Sequence, residues 1–218
     1  MKVKPMKVIL FSLLALTSTP SFSLELDMER GITLHVLNEE KVSEDETPIF
    51  IEGENQLVLT FEGRLKKVAK PEHLATSPYV VRTSLKPSDV LTISLVSNRY
   101  DVIQEKQLHG EPIFDVKVNG ADSNVTQQYR LEPESGTLMP YSDVKGLIVK
   151  QNRKDGLLFE SGKFHHLKAE LKSIDGDVKT AQYSNSEASL QLKIWFSKAS
   201  NQEKQEFLEW VIRDMYAD

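Results

Sequence analysis

An α+β fold, with an antiparallel strand-rich N-terminal half packed with a helical C-terminal segment, follows from three features of the sequence. Apolar and polar residues alternate in several runs between residues 24 and 135, the period of two that a half-buried strand requires. After Pro140 the apolar spacing lengthens to that of helices. Near the C-terminus, Ser184-x-x-Glu187 and Ser200-x-x-Glu203 each precede an apolar stretch, as helix capping boxes do.

The first 23 residues stand apart from this pattern. Lys2, Lys4 and Lys7 form a positive flank, Val8 to Leu16 an apolar run, and Thr17 to Ser23 a polar exit containing Pro20. Ser21 and Ser23 flank Phe22 as small residues flank a signal-peptidase site, so cleavage is expected after Ser23. Nine apolar residues are too few for a membrane span, which needs about 20. The expected product is a periplasmic chain, residues 24–218, forming a single α+β domain that is strand-rich over 24–135 and mixed or helical over 136–218.

Ile32, Leu34 and Val36 alternate with Thr33 and His35 and predict the first strand. Glu52-Gly53-Glu54-Asn55 reads as a hairpin turn between a strand at Pro48–Ile51 and one at Gln56–Glu62, where Leu57, Leu59 and Phe61 share a face. Tyr79–Leu85 and Val90–Val96 are strands divided by Lys86-Pro87-Ser88-Asp89. Phe114–Val118 ends at Asn119-Gly120, and Val125–Leu131 is its expected partner. Tyr141–Lys154 carries Val144, Leu147 and Ile148 at helical spacing, with Ser142 or Asp143 as cap and Gly156 beyond the end. Leu157–Tyr183 is irregular, with room for a hairpin. The next helix places Ala188, Leu192, Trp195, Phe196 and Ala199 on one face, although Leu190, Leu192, Ile194 and Phe196 also alternate as a strand would. The last helix carries Phe207, Leu208, Val211, Ile212 and Met215. The two helices are expected to dock Trp195 and Trp210 against the sheet.

Composition narrows the function classes. Losing the three leader lysines changes the net charge from −5 to −8, which disfavours a nucleic-acid or anionic-membrane surface. With no cysteine there is no disulfide framework, no thiolate nucleophile and no Cys-based zinc site. No later segment is long enough to enter a membrane as a helix.

No catalytic signature emerges. His165 and His166 are the one adjacent histidine pair, and on a strand they point to opposite faces, which prevents joint chelation. Asp175-Gly176-Asp177 lacks the further oxygen ligands of a calcium loop, and no Gly-x-Ser-x-Gly elbow is present. The sequence therefore implies no cofactor. Binding is the leading expectation, through the C-terminal aromatics Trp195 and Trp210 or through a strand edge that pairs with an extended exported chain. Charges at Glu52, Glu54, Glu62, Arg64, Lys66 and Lys67 are placed to blunt such edges. The alternatives are an envelope hydrolase using His165 or His166, and a small-ligand carrier with a pocket between the sheet and the last helices.

Five segments together carry a family resemblance: Leu34-x-Val36-Leu37-Asn38, Gly53-x-x-Gln56-Leu57-Val58, Tyr141-Ser142-Asp143-Val144-Lys145, Leu192-Lys193-x-Trp195-Phe196-x-x-Ala199 and Phe207-Leu208-x-Trp210. With the leader, they resemble the YccT-like family of uncharacterised gammaproteobacterial periplasmic proteins, a UPF-type family. The resemblance implies a short, exported protein without assigned catalytic residues. For some members it also implies a role in restraining curli-type amyloid fibres.

Overall fold

The computed structural model describes residues 24–43, 45–122, 125–170 and 187–215. The leader, Asp175-Gly176-Asp177 and Ser184 lie outside the described residues. In chain order the first strands are β1 (Glu25–Met28), β2 (Ile32–Leu37), β3 (Glu40–Lys41), β4 (Gly53–Leu65), β5 (Glu72–Ala75), β6 (Tyr79–Leu85) and β7 (Val90–Leu95). Helix α1 (Tyr100–His109) separates these from β8 (Phe114–Val118), β9 (Ala121–Asp122) and β10 (Val125–Arg130). Then come α2 (Val144–Asp155), β11 (Leu157–Glu160), β12 (Lys163–His166), α3 (Glu187–Lys198) and α4 (Asn201–Met215).

Two sheets pack face to face. One runs β10-β6-β4-β2-β3, with β5 added to the far half of β4; the other runs β1-β7-β8-β9. Leu57, Leu59, Phe61, Tyr79 and Val81 from the first sheet meet Leu91, Ile93, Phe114 and Val116 from the second in one core. Helix α1 contributes Tyr100 and Ile103 to the same core. The outer face of the first sheet presents Val36, Val58 and Val80, which α2 covers with Ile148. Strand β4 is therefore buried on both faces from Asn55 to Leu59, and its burial does not alternate there.

The buried outer face also contains amides. Gln56 of β4 and Asn152 of α2 exchange two hydrogen bonds of 2.8 Å, and Asn152 Nδ2 also donates to Glu39 Oε1 at 2.7 Å. Glu39 reaches this position because Asn38 and Glu39 both adopt positive φ, at 51° and 63°, in the two-residue turn between β2 and β3. Helix α2 is bounded as its sequence predicts. Asp143 accepts from the Gly146 amide at 2.9 Å, and Gly156 ends the helix at φ 74°.

Three expectations are corrected. Glu52–Asn55 is not a hairpin turn; β4 begins at Gly53. The Asn55 side chain accepts from the Ile51 amide and donates to the Ile51 carbonyl, so the bend is completed before the strand starts. Strand β10 pairs with β6, not with β8. Gln128 still links β10 to β8: its Oε1 accepts from the amides of Ile113 and Phe114 and its Nε2 donates to the Phe114 carbonyl. Finally, β1 joins the sheet parallel to β7, so the strands are not all antiparallel.

Candidate functional site: an open edge at the mouth of the sandwich

The two sheets are stitched along the side where Gln128 joins β10 to β8. On the opposite side β1 and β2 run as consecutive strands turning sharply at Gly31, and here the sandwich is open. Gly31 has φ 95°, and a Cβ there would lie 2.6 Å from the Glu62 carbonyl oxygen, so only glycine fits the corner.

Both strands present main-chain groups at this mouth. The Glu62 amide donates to the Gly31 carbonyl at 2.8 Å, which makes Gly31 and Thr33 the residues that bond β4. Ile32 and Leu34 consequently turn their carbonyls, and Leu34 its amide, the other way. Strand β3 covers Val36 and Leu37, and just beyond it the Val42 amide donates to the His35 carbonyl at 3.0 Å, so the open part of the edge is at Ile32 and Leu34. In β1 the amide of Glu25 bonds the carbonyl of Asp89, and that of Glu29 the carbonyl of Ile93. The main-chain groups of Leu26 and Met28 therefore also face away from the sheet.

Between these edges lies a groove of about 700 Å³, floored by Leu26, Met28, Ile32, Leu34, Val42 and Pro48. His35, Lys41 and Glu46 stand at its rim. His35 Nε2 lies 2.8 Å from the Thr60 hydroxyl. Burial, and then the charge of Lys41, hold its pKa below the ordinary 6.5, so the imidazole is neutral at pH 7. The site thus combines an apolar floor, a strand edge and a neutral rim histidine. It can accept an extended chain by main-chain pairing.

The residues singled out from sequence lie elsewhere. His165 and His166 point to opposite faces of β12, as alternation requires. His165 Nδ1 lies 2.9 Å from Glu170 Oε1, and Lys198 Nζ lies 3.6 Å from Glu170 Oε2. Burial would raise the Glu170 carboxyl, but the His165 hydrogen bond, its charge and Lys198 outweigh burial and hold it below the ordinary range. His166 Nε2 lies 2.7 Å from Glu54 Oε2, and Arg82 binds the other oxygen of Glu54. Ser84 lines the same cleft. Here the glutamate is shared by arginine and imidazole and ties β12 to the sheet. Among the described residues, no group of three or more His, Asp or Glu side chains is placed to hold a metal ion.

Trp195 and Trp210 do not dock against the sheet. Helix α3 instead buries Leu190 and Ile194 on Leu167 and Leu158, and both tryptophans are exposed. The cleft at the last helices lies between α3 and α4, not between them and the sheet. Sequence reasoning missed β1, the parallel edge, although Leu24, Leu26 and Met28 alternate with Glu25 and Asp27. It also missed α1, whose end was signalled by Gly110 and Pro112.

Fold and site define an α+β protein built on a half-open sandwich, and among the described residues no helix is long and apolar enough to cross a membrane. The chain belongs to the family described as an uncharacterized protein conserved in bacteria (DUF2057), which matches residues 25–210. A UPF0319 protein of Vibrio vulnificus (strain YJ016) is 25% identical over 191 residues, covering 84% of this chain and 86% of the relative. One of Vibrio parahaemolyticus serotype O3:K6 is 27% identical over 197 residues, covering 89% and 88%. No solved structure matches the chain.

Proposed function

We propose that this is an exported periplasmic binding protein, not a catalyst, that captures an extended, β-prone segment of another exported chain at the open edge and so restrains its assembly. The observation that carries the reading is the groove itself, where main-chain groups of β1 and β2 flank an apolar floor. Main-chain pairing supplies affinity in such a site, and alternate side chains of the added strand supply specificity. The positive flank and apolar run of residues 1–16 support export. The mass of the protein recovered from the periplasm is expected to correspond to a chain beginning at Leu24.

The test is fibre formation by an exported amyloid subunit, followed by dye fluorescence, with the protein added below stoichiometry. A lengthened lag is expected, and Val42→Lys, which places a charge over the groove floor, is expected to abolish it while the protein stays folded. No delay at equimolar ratio, or a delay unchanged in Val42→Lys, rejects the reading.

A further inference from the structure

Helix α3 is apolar on two sides. Leu190 and Ile194 are spent on the body of the protein, while Leu192, Trp195 and Phe196 are 50%, 59% and 40% exposed. Helix α4 continues the same surface with Phe207 and Trp210, at 39% and 56%, while Leu208 and Ile212, at 49% and 58%, lie on the other side of the helix from Trp210. The rings are already ordered among themselves: Phe196 and Phe207 lie 6.3 Å apart, and Phe207 and Trp210 5.8 Å. None of the described residues of α4 is buried. A 15-residue helix of this kind is marginal in water without a packed face.

We infer that this aromatic face is the two-fold interface with a second copy of the chain, α4 packing antiparallel on α4 of the partner. Three observations select that occupant. The exposed apolar side chains of Leu192, Trp195, Phe196, Phe207 and Trp210 amount to on the order of 500 Å², in the upper part of the range for a free monomer and the larger share of the roughly 800 Å² each partner contributes to a stable interface. The surface carries both a projection and a recess. Trp210 stands out from α4, and a groove of about 250 Å³ lies in the crook of the two helices between Leu192, Trp195, Phe196 and Phe207. A 150 Å³ cavity holds a benzene ring, so the recess suits the indole of a partner. Charge is self-complementary as well. Glu206, Trp210 and Arg213 follow at spacings of four and three, hence on one face. An antiparallel pair centred near Trp210 sets each Glu206 against the opposite Arg213, as an isologous contact requires. The inference is independent of the strand-edge reading, which concerns the other end of the molecule's sequence and a different surface.

Sedimentation of the protein as its host processes it, at micromolar concentration, is expected to show a dimer. Trp210→Ser is expected to raise the dissociation constant at least about thirtyfold, the effect of losing a hot-spot tryptophan. Glu206→Arg and Arg213→Glu, which leave the apolar face intact, are each expected to weaken the dimer several-fold, and the double exchange to restore it. A monomer under these conditions overturns the inference, whether or not the face then takes up an apolar peptide or lipid vesicles. A dimer that survives Trp210→Ser, or a double exchange without recovery, overturns it too.

Discussion

The buried amide pair between Gln56 and Asn152 offers a stringent test of how the helix layer is held. Asn152→Ala removes one side chain and leaves two polar groups of Gln56, its Nε2 hydrogen and its Oε1, inside the contact between α2 and the sheet, where Gln56 and Asn152 are each 1% exposed. An unsatisfied buried group costs about 1–3 kcal/mol, so the substitution is expected to destabilise the protein by roughly 3 kcal/mol. Replacing both residues by leucine removes both halves of the pair, and its cost is expected to fall well below the sum of the two single leucine substitutions. Urea denaturation of the wild type, the two single variants and the double variant gives the coupling free energy directly, expected near 2 kcal/mol. Additivity within about 0.5 kcal/mol would refute the reasoning and assign the cost to shape instead of hydrogen bonding.

Other consequences are equally direct. Gly31→Ala forces a Cβ against the Glu62 carbonyl at φ 95° and is expected to cost roughly 2 kcal/mol or more in thermal denaturation; an unchanged midpoint would mean that the corner is relaxed. His35 is held below its ordinary 6.5 by burial and by Lys41, so the folded state binds this proton less readily than the unfolded chain. Its contribution to stability is complete above pH 6.5 and lost as the pH falls below it, and His35→Gln should flatten that part of the urea-midpoint profile. Tyr129 is pushed up to about 12, chiefly by burial under α2. The fold favours the neutral phenol, so stability should decline as the pH rises above 10, less steeply in Tyr129→Phe; parallel slopes for the two proteins would contradict the assignment.

The strand-edge reading and the dimer reading place function at opposite kinds of surface. At the mouth the attraction is main-chain hydrogen bonding over a short edge, which an incoming strand of many sequences can satisfy. On the helical arm it is side-chain shape, where few residues dominate and one tryptophan decides the outcome. A dimer through the arm leaves the two mouths free, so capture at the edge would occur twice per assembly.

Much of the local structure was legible in the sequence by itself. Alternation located β2, the core of β4, β6, β7 and β8; Asp143 and Gly156 bounded α2; and the Ser200–Glu203 capping box is formed, with the Ser200 amide donating to Glu203 at 2.8 Å. These signals are local, because a cap or a period is written within one or two turns of chain. What only the tertiary structure decided was which elements meet. A period shows that a strand has an apolar face and leaves its neighbour open, so the β10–β6 pairing and the parallel seat of β1 depended on contacts made across the fold. Helix α3 makes the point most sharply. Its sequence is apolar on two sides, and nothing in the spacing says which side the body will take. Leu190 and Ile194 fit the small recess made by Leu158 and Leu167, while the bulkier Trp195 and Phe196 remain outside. The open mouth was invisible for the same reason: an edge is defined by the strand that is not beside it, and a chain's own residues do not record that.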